Sequence, residues 1–310
     1  MNKSIGIDDI LDLQEIYQAF LNKKFFIIFF VFLSGVSSVY YSLSLPNIYK
    51  SEAILAPASS EDGISSALSS LNSLSRLAGV NLADQDVSKI DETLQRISSF
   101  EFFRDKFLLE IYLPDLLAYD SWDYKNELNK YDQSIFNTTT NKWTRDVSYP
   151  YTNPPSAQES FKEFKKILTI KQDKDSSFIT ISIEHKSPSI AKEWVSLLIS
   201  SINEEFRDLE KKEAMLAIDY LYKQIALTNL SEIKQVFSEL VKNETQKLIL
   251  IESRKYYVLK YIDPPYAPEI KSSPNRAVIC ILGTVMGFFL SIFFVLIGYV
   301  RSNLIDSSAK

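Results

Sequence analysis

The stretch AVICILGTVMGFFLSIFFVLIGYV, from Ala277 to Val300, contains 24 residues and no charged side chain. As a helix it would be about 36 Å long, enough to cross a hydrocarbon layer of about 30 Å with some tilt. A second uncharged stretch, FFIIFFVFLSGVSSVYYSLSL from Phe25 to Leu45, has 21 residues and a helical length of about 31 Å. Two such stretches predict two membrane spans rather than buried helices of a soluble core.

The first span is expected to be an uncleaved anchor, with a cleaved signal peptide as the alternative. Its apolar stretch is longer than the about 7–15 residues of a signal-peptide core. The residues before it include the acids Asp8, Asp9, Asp12 and Glu15, which is unlike a basic leader.

Basic residues beside the spans predict the orientation. Lys23 and Lys24 precede the first span and Arg301 follows the second, whereas Lys271 and Arg276 lie on the other side. The first span usually dominates, and long segments cross regardless of charge, so we expect both ends in the cytoplasm. The predicted order is a cytoplasmic tail (residues 1–24), a first span (25–45), a periplasmic segment (46–276), a second span (277–300) and a second cytoplasmic tail (301–310).

The composition excludes several classes of function. The net charge of −5 argues against a nucleic-acid partner. A single His (His185) and a single Cys (Cys280) exclude a zinc site built from these residues and a disulfide framework. Gly is absent between Val80 and Leu282, which disfavours Gly-rich phosphate loops, and no catalytic motif is present. We therefore expect no catalytic residue, no cofactor and no metal.

Stretches in which apolar and polar residues alternate predict a small β-sheet. The stretch Tyr49–Ala56 is typical of a strand, and Ile167–Gln172 with Phe178–His185 is typical of a hairpin that has one buried face. Residues 255–262 predict a last strand beside the first, since each is a few residues from a span. His185 ends a strand and has no obvious partner, so it is interpreted as a surface residue.

Apolar side chains at steps of three and four predict helices between these strands. The Ser-rich stretch contains such spacing over Ile64–Leu77, with a disordered linker as the alternative. A second helix is expected over Asp91–Glu110, with Asp91 as its N-cap. Residues Asn137–Pro155 contain three Pro and predict a loop.

A long helix is predicted over residues 189–254. Ser187-Pro188 is a typical helix start, and the 75 residues from Ser189 to Asp263 contain neither Pro nor Gly. If about 60 of them are helical, the helix is about 90 Å long. Its narrow apolar stripes and charged flanks favour a coiled-coil-like contact, so it must project, fold back once or pack against neighbouring subunits.

A Pro-rich segment, residues 264–274, precedes the second span. Its four prolines cannot lie inside a helix or a central strand, so they predict an extended, stiff stalk. Within the span, Gly283 and Gly287 form a G-x-x-x-G spacing that lets another helix approach closely. The prolines are Pro264, Pro265, Pro268 and Pro274.

In this order the chain resembles the Wzz-type polysaccharide co-polymerases, the chain-length determinants of lipopolysaccharide O antigen. The resemblance is carried by the first span, YKSEAILAP, SIEHKSPSIAKEWVSLLISSINEEFRDLE, the long helix, and YVLKYIDPPYAPEIKSSPNRA before the Gly-bearing second span. The family's Pro-rich motif maps onto the four prolines above. Asn275 stands where a basic residue is expected, although Arg276 is adjacent, and residues 113–155 have no match.

The resemblance implies an α+β fold in which two transmembrane helices flank a periplasmic domain, with a small membrane-proximal α/β base and a long extended helical arm. It also implies a ring-like homo-oligomer in the bacterial inner membrane. Its implied partners are the O-antigen polymerase and the growing lipid-linked polysaccharide. Such proteins regulate chain length and are not enzymes.

Two alternatives share this topology. The first is a co-polymerase for another surface polysaccharide, capsule or enterobacterial common antigen. The second is a two-span periplasmic sensor, which needs a signalling module after the second span, where only residues 301–310 follow. Short tails also separate the chain from co-polymerases that are fused to a tyrosine kinase.

Overall fold

The computed structural model describes Gln18 and residues 20–58, 82–123, 126, 128–173 and 176–308. The chain divides into two compact units, Met1–Asn47 with Ser272–Lys310, and Ile48–Lys271. The helix predicted at Ile64–Leu77 lies outside the described residues.

Mixed helices and strands confirm the α+β class. The principal helices are α1 (Lys24–Ser44), α2 (Leu82–Ile97), α3 (residues 100–110), α4 (Leu113–Leu117), α5 (Ala157–Ile167), α6 (Pro188–Leu227), α7 (Ser231–Ser253) and α8 (Arg276–Ser308). The principal strands are β1 (Tyr49–Pro57), β2 (Tyr119–Asp123), β3 (Leu128–Tyr131), β4 (Phe136–Asn137), β5 (Lys142–Trp143), β6 (Leu168–Gln172), β7 (Ile179–His185) and β8 (Leu259–Asp263).

Among the described residues, the first unit contains two helices that are long and apolar enough to cross a membrane, α1 and the Arg276–Arg301 part of α8. Only 6% of the apolar window of α1 and 17% of that of α8 are buried within the chain. A core helix of a soluble protein buries most of such a window, so these exposed apolar surfaces fit a lipid environment. These helices contain the two predicted spans, apart from Leu45.

The second unit is built on an antiparallel four-stranded sheet with the order β6-β7-β1-β8. Ala53 of β1 lies opposite Ile181 of β7, and Ala56 lies opposite Lys260 of β8. Alternate residues of β1 are buried, as expected for a sheet with one face on the core. The predicted hairpin and the predicted pairing of the last strand with the first are both confirmed.

The core lies between this sheet and the first half of α6. The buried face of α6 includes Trp194, whose indole meets the ring of Phe107 at 5.8 Å between centroids. Phe164 of α5 stacks against Phe103 and Phe107 at 4.9 and 4.6 Å. These rings join α3, α5 and α6 into one apolar cluster.

The single helix predicted over Asp91–Glu110 is wrong. The chain forms α2 and α3, and the break falls at Ser99, whose backbone is extended and whose hydroxyl accepts the Phe102 N–H at 3.2 Å. A Ser in this position starts a new helix. The predicted N-cap Asp91 lies inside α2, which begins at Leu82. The middle of α3 is a π-helical turn, Phe103–Phe107, which turns both of its phenylalanines into the core.

The long helix predicted over residues 189–254 is two helices in the structure. It begins at Pro188 as expected, but α6 ends at Leu227, and Thr228 and Leu230 have extended backbones before α7 begins. Thr228 and Asn229 are weak helix formers, which favours an interruption here. Lys211 pairs with Glu252, so the chain folds back once and α7 runs antiparallel to α6.

Residues 113–155 carry two short hairpins, β2 with β3 and β4 with β5. The predicted loop at Asn137–Pro155 therefore contains the two-residue strand β5, and its remainder after Trp143 has neither helix nor strand. A bidentate ion pair between Arg145 and Glu159 attaches this loop to the start of α5.

Candidate functional site

The arm formed by α6 and α7 carries an apolar stripe that changes from buried to exposed along α6. Near the sheet, Leu198 and Ile202 are fully buried. The same face continues at helical spacing to Leu216 and Tyr220, each 61% exposed. Within the described residues, this outer part of the stripe is a packing surface that the chain itself does not cover.

Helix α7 carries a second exposed stripe. Val241 and Ile251 face the chain and are buried, whereas the apolar side chains of Leu230, Ile233 and Leu240 are exposed. Exposed apolar stripes between charged flanks are typical of helices that pack against a partner. We call these residues the arm stripes: Leu209, Leu216, Tyr220 and Leu227 of α6, Leu230 just before α7, and Ile233 and Leu240 of α7.

Glu210 connects α6 to its surroundings. Its carboxylate accepts hydrogen bonds from Lys89 of α2 and from the hydroxyl of Tyr257, and Lys247 of α7 lies 3.9 Å away. Burial alone would raise the pKa of Glu210, but the hydrogen bonds from Lys89 and Tyr257 lower it. Burial and the adjacent carboxylate raise the pKa of Tyr257. Both groups therefore keep their hydrogen bond at neutral pH.

Asn203 holds the chain that enters β8. Its Oδ1 accepts the backbone N–H groups of Tyr257, Val258 and Leu259 at 2.9, 2.8 and 3.0 Å. Its Nδ2 donates to the carbonyl oxygens of Ile199 and Leu259 at 2.8 and 3.0 Å. One buried amide thus satisfies five backbone groups, which fixes the return of the chain from α7 to the sheet. The sequence reasoning missed this residue, although a polar side chain next to Ile202 in the buried half of α6 was a usable signal.

The Pro-rich segment follows β8 and forms neither helix nor strand from Pro264 to Pro268. Pro265 is buried and Pro264 is exposed. The hydroxyl of Ser51 in β1 donates to the carbonyl oxygen of Tyr266 at 2.7 Å, which ties the segment to the centre of the sheet. Pro274 belongs to the other unit and directly precedes α8.

Gly283 and Gly287 lie where α8 contacts α1. A Cβ atom added at Gly283 would stand 2.4 Å from Cβ of Ser38, and one added at Gly287 would stand 2.4 Å from Cβ of Ser34. The Ser34 hydroxyl donates to the carbonyl oxygen of Gly283 at 2.8 Å. A G-x-x-x-G pair on one helix therefore meets an S-x-x-x-S pair on the other, which permits close backbone approach. The serine pair was missed, although its small residues at a four-residue spacing are visible in the first span.

The interpretation of His185 as a surface residue without a partner is wrong. Its ring is 7% exposed, 4.5 Å from the ring of Tyr119 and 5.2 Å from that of Trp194. Nδ1 accepts the Ser187 N–H at 3.0 Å, and Nε2 lies 2.9 Å from the carbonyl oxygen of Asp115. Nε2 must therefore carry the proton, and burial lowers the pKa of His185 to about 4. His185 is a neutral packing residue that joins β7 to α4.

No group of three His, Cys, Asp or Glu side chains is placed to hold a metal ion among the described residues.

Comparison with known proteins confirms the resemblance noted in the sequence. Residues 9–99 match the family model described as "Wzz: Chain length determinant protein". This segment contains α1, β1 and α2. No curated protein matches the chain.

Two solved structures are similar to this chain. A structure described as "full-length bacterial polysaccharide co-polymerase" is 14% identical, with 96% of this chain and 100% of that chain covered and a TM-score of 0.43. A structure described as "Fragment of WzzB, Polysaccharide Co-polymerase from Salmonella Typhimurium" is 15% identical, with 73% of this chain and 100% of that chain covered and a TM-score of 0.33.

Proposed function

We propose that this chain is a non-enzymatic polysaccharide co-polymerase that sets the chain length of lipopolysaccharide O antigen together with the O-antigen polymerase. The observation that carries the proposal is the match of residues 9–99 to the chain length determinant family. The matched segment runs through the first span and the central strand of the sheet, so it includes parts of both units.

The connection between sheet and spans supports this function. The central strand β1 follows α1, and its neighbour β8 leads through the Pro-rich segment to α8. Both spans are therefore connected to adjacent strands. In the proposed protein the prolines form a stiff stalk between the sheet and the second span, because Pro fixes φ and removes a backbone donor.

The assembly is proposed to be a ring-like homo-oligomer held by the arm stripes. These stripes expose large apolar side chains along both helices of the arm, including Leu216 and Tyr220. Packing them against the arms of neighbouring subunits would remove this surface from water. Gly283 and Gly287 are proposed to hold the two spans of each subunit together.

The proposed location is the bacterial inner membrane, with both ends of the chain in the cytoplasm and residues 46–276 in the periplasm. Lys23 and Lys24 before the first span and Arg301 after the second support this orientation. The growing lipid-linked polysaccharide would then meet the second unit on the periplasmic side.

The test is a gel ladder of surface polysaccharide from a strain that lacks the gene, with and without the intact gene returned on a plasmid. We expect a clustered O-antigen ladder to become broad and biased to short chains, and the returned gene to restore the cluster. An unchanged O-antigen ladder contradicts the O-antigen role. If capsule or common-antigen length changes instead, the same scaffold acts on another polymer.

A further inference from the structure

The two spans leave a groove between them near the start of α1. They touch closely at the glycine pair, and the rings of Phe30 and Phe294 still meet at 5.8 Å between centroids. Beyond that aromatic contact lies a groove of about 430 Å³. Among the described residues its lining consists of Asn22, Lys23, Phe26, Phe294, Val295, Gly298 and Tyr299.

Packing among the described residues does not explain Gly298. Helical spacing places it on the same face of α8 as Gly283 and Gly287. A Cβ atom at either of those positions would clash with α1, whereas a Cβ atom at Gly298 would meet no atom of the described residues within 4 Å. Gly is less favourable than Ala in the interior of a helix. The open space at Gly298 therefore points to an occupant of the groove that is not among the described residues.

The chemistry of the lining selects the kind of molecule. Phe26, Phe294 and Val295 give the groove an apolar lining, and Lys23 supplies an exposed positive charge where α1 begins. Basic pockets between membrane helices bind the headgroups of anionic lipids. The volume lies in the range of about 300–1,000 Å³ that ligand sites occupy.

We propose that this groove binds one anionic phospholipid of the surrounding leaflet, with an acyl chain against Gly298 and the phosphate near Lys23. A helix of a second copy fits less well, because the contact between Phe30 and Phe294 closes the groove along the span. The proposal does not depend on which polysaccharide the protein regulates.

The test uses the full chain, purified in detergent, stripped of lipid and titrated with phosphatidylglycerol or phosphatidylcholine. Native mass spectrometry counts the lipids bound per chain. We expect the wild type to prefer phosphatidylglycerol roughly fivefold, the effect of one favourable charge near the headgroup. Gly298→Phe should fill the groove and lower the binding of both lipids. Lys23→Gln should abolish the preference but keep the weaker binding.

Two neighbouring substitutions are the controls. Ile297→Phe adds an aromatic ring one residue away from the lining, and Lys24→Gln removes a charge whose ammonium lies over the ring of Phe25. Both should bind lipid as the wild type does. Equal binding by Gly298→Phe and Ile297→Phe, or equal binding of the two lipids by the wild type, overturns the proposal. A change in oligomer size in Gly298→Phe with unchanged lipid binding assigns the groove to a second copy and overturns it as well.

Discussion

The hydroxyl of Ser34 donates a 2.8 Å hydrogen bond to the carbonyl oxygen of Gly283, across 249 residues of sequence. One helical turn along α1, Ser38 faces the same glycine, whose missing side chain leaves room for it. The two spans thus form a close helix pair whose backbones approach through small residues. Four predictions follow from this pair and from the contacts of the second unit.

Adding one methyl group at Gly283 or Gly287 should loosen the span pair. The new Cβ would stand 2.4 Å from a serine Cβ, so the helices must move apart, at a cost of about 1–3 kcal/mol. Cys280 is the chain's only Cys and lies in α8, so its reaction with a thiol-specific dye during heating reports on this packing. We expect Gly283→Ala and Gly287→Ala to react at lower temperature than the wild type.

Gly298→Ala is the matched control for these variants, because in the part of the chain that the structure describes its Cβ meets no atom within 4 Å. It should react as the wild type does. If all three alanine variants behave alike, close approach at the glycine pair does not stabilise the spans.

Replacing Asn203 by Ala should strongly destabilise the second unit. The change leaves buried backbone groups of the Tyr257–Leu259 stretch without a partner, and each costs about 1–3 kcal/mol unless water enters. We expect the free energy of unfolding to fall by at least about 2 kcal/mol in urea titrations followed by circular dichroism. Asn243→Ala, at an exposed position of α7, should change it little. Equal effects of the two substitutions would contradict the bridging role of Asn203.

His185 should make the protein less stable as the pH falls. Its pKa is about 4 when folded and about 6.5 when unfolded, so the unfolded chain binds a proton that the folded chain does not. The free energy of unfolding should therefore drop between about pH 6.5 and pH 4, by up to about 3 kcal/mol.

His185→Gln isolates this effect, since Gln does not titrate. Burial raises the pKa of Asp115, whose protonation acts in the opposite direction, so the difference between wild type and variant is the quantity to measure. A thermal midpoint that depends equally on pH in both proteins would show that His185 is not buried as a neutral group.

Charges placed on the arm stripes should break the proposed oligomer without unfolding the subunit. Leu216→Glu with Tyr220→Glu puts carboxylates at two exposed positions of one stripe, where a partner would have to bury them. We expect a smaller mass by light scattering and unchanged circular dichroism. Met215→Glu, also exposed but about 100° around the helix, should keep the full mass. An intact oligomer in the double variant would place the subunit contact elsewhere.

Local patterns were sufficient for much of the fold. The period of two in ITISIEH identified the strand β7, and Ser187-Pro188 correctly marked the start of α6. The prediction of continuous helices failed where one or a few residues interrupted a longer run of helical apolar spacing. Ser99 interrupted the predicted helix by capping a new one, and Thr228 to Leu230 interrupted the long one.

Hydrophobic periodicity and length, which are properties of neighbouring residues, were enough to predict the two apolar spans, the small sheet and the stripes of the arm. The contacts between distant residues depend on tertiary packing. Residue spacing shows the small residues of both spans, but it does not show that Ser34 pairs with Gly283, that Asn203 has five backbone partners or that His185 is buried. Each depends on segments far apart in the chain that packing brings together, and the free energy of these contacts exists only once the fold has formed.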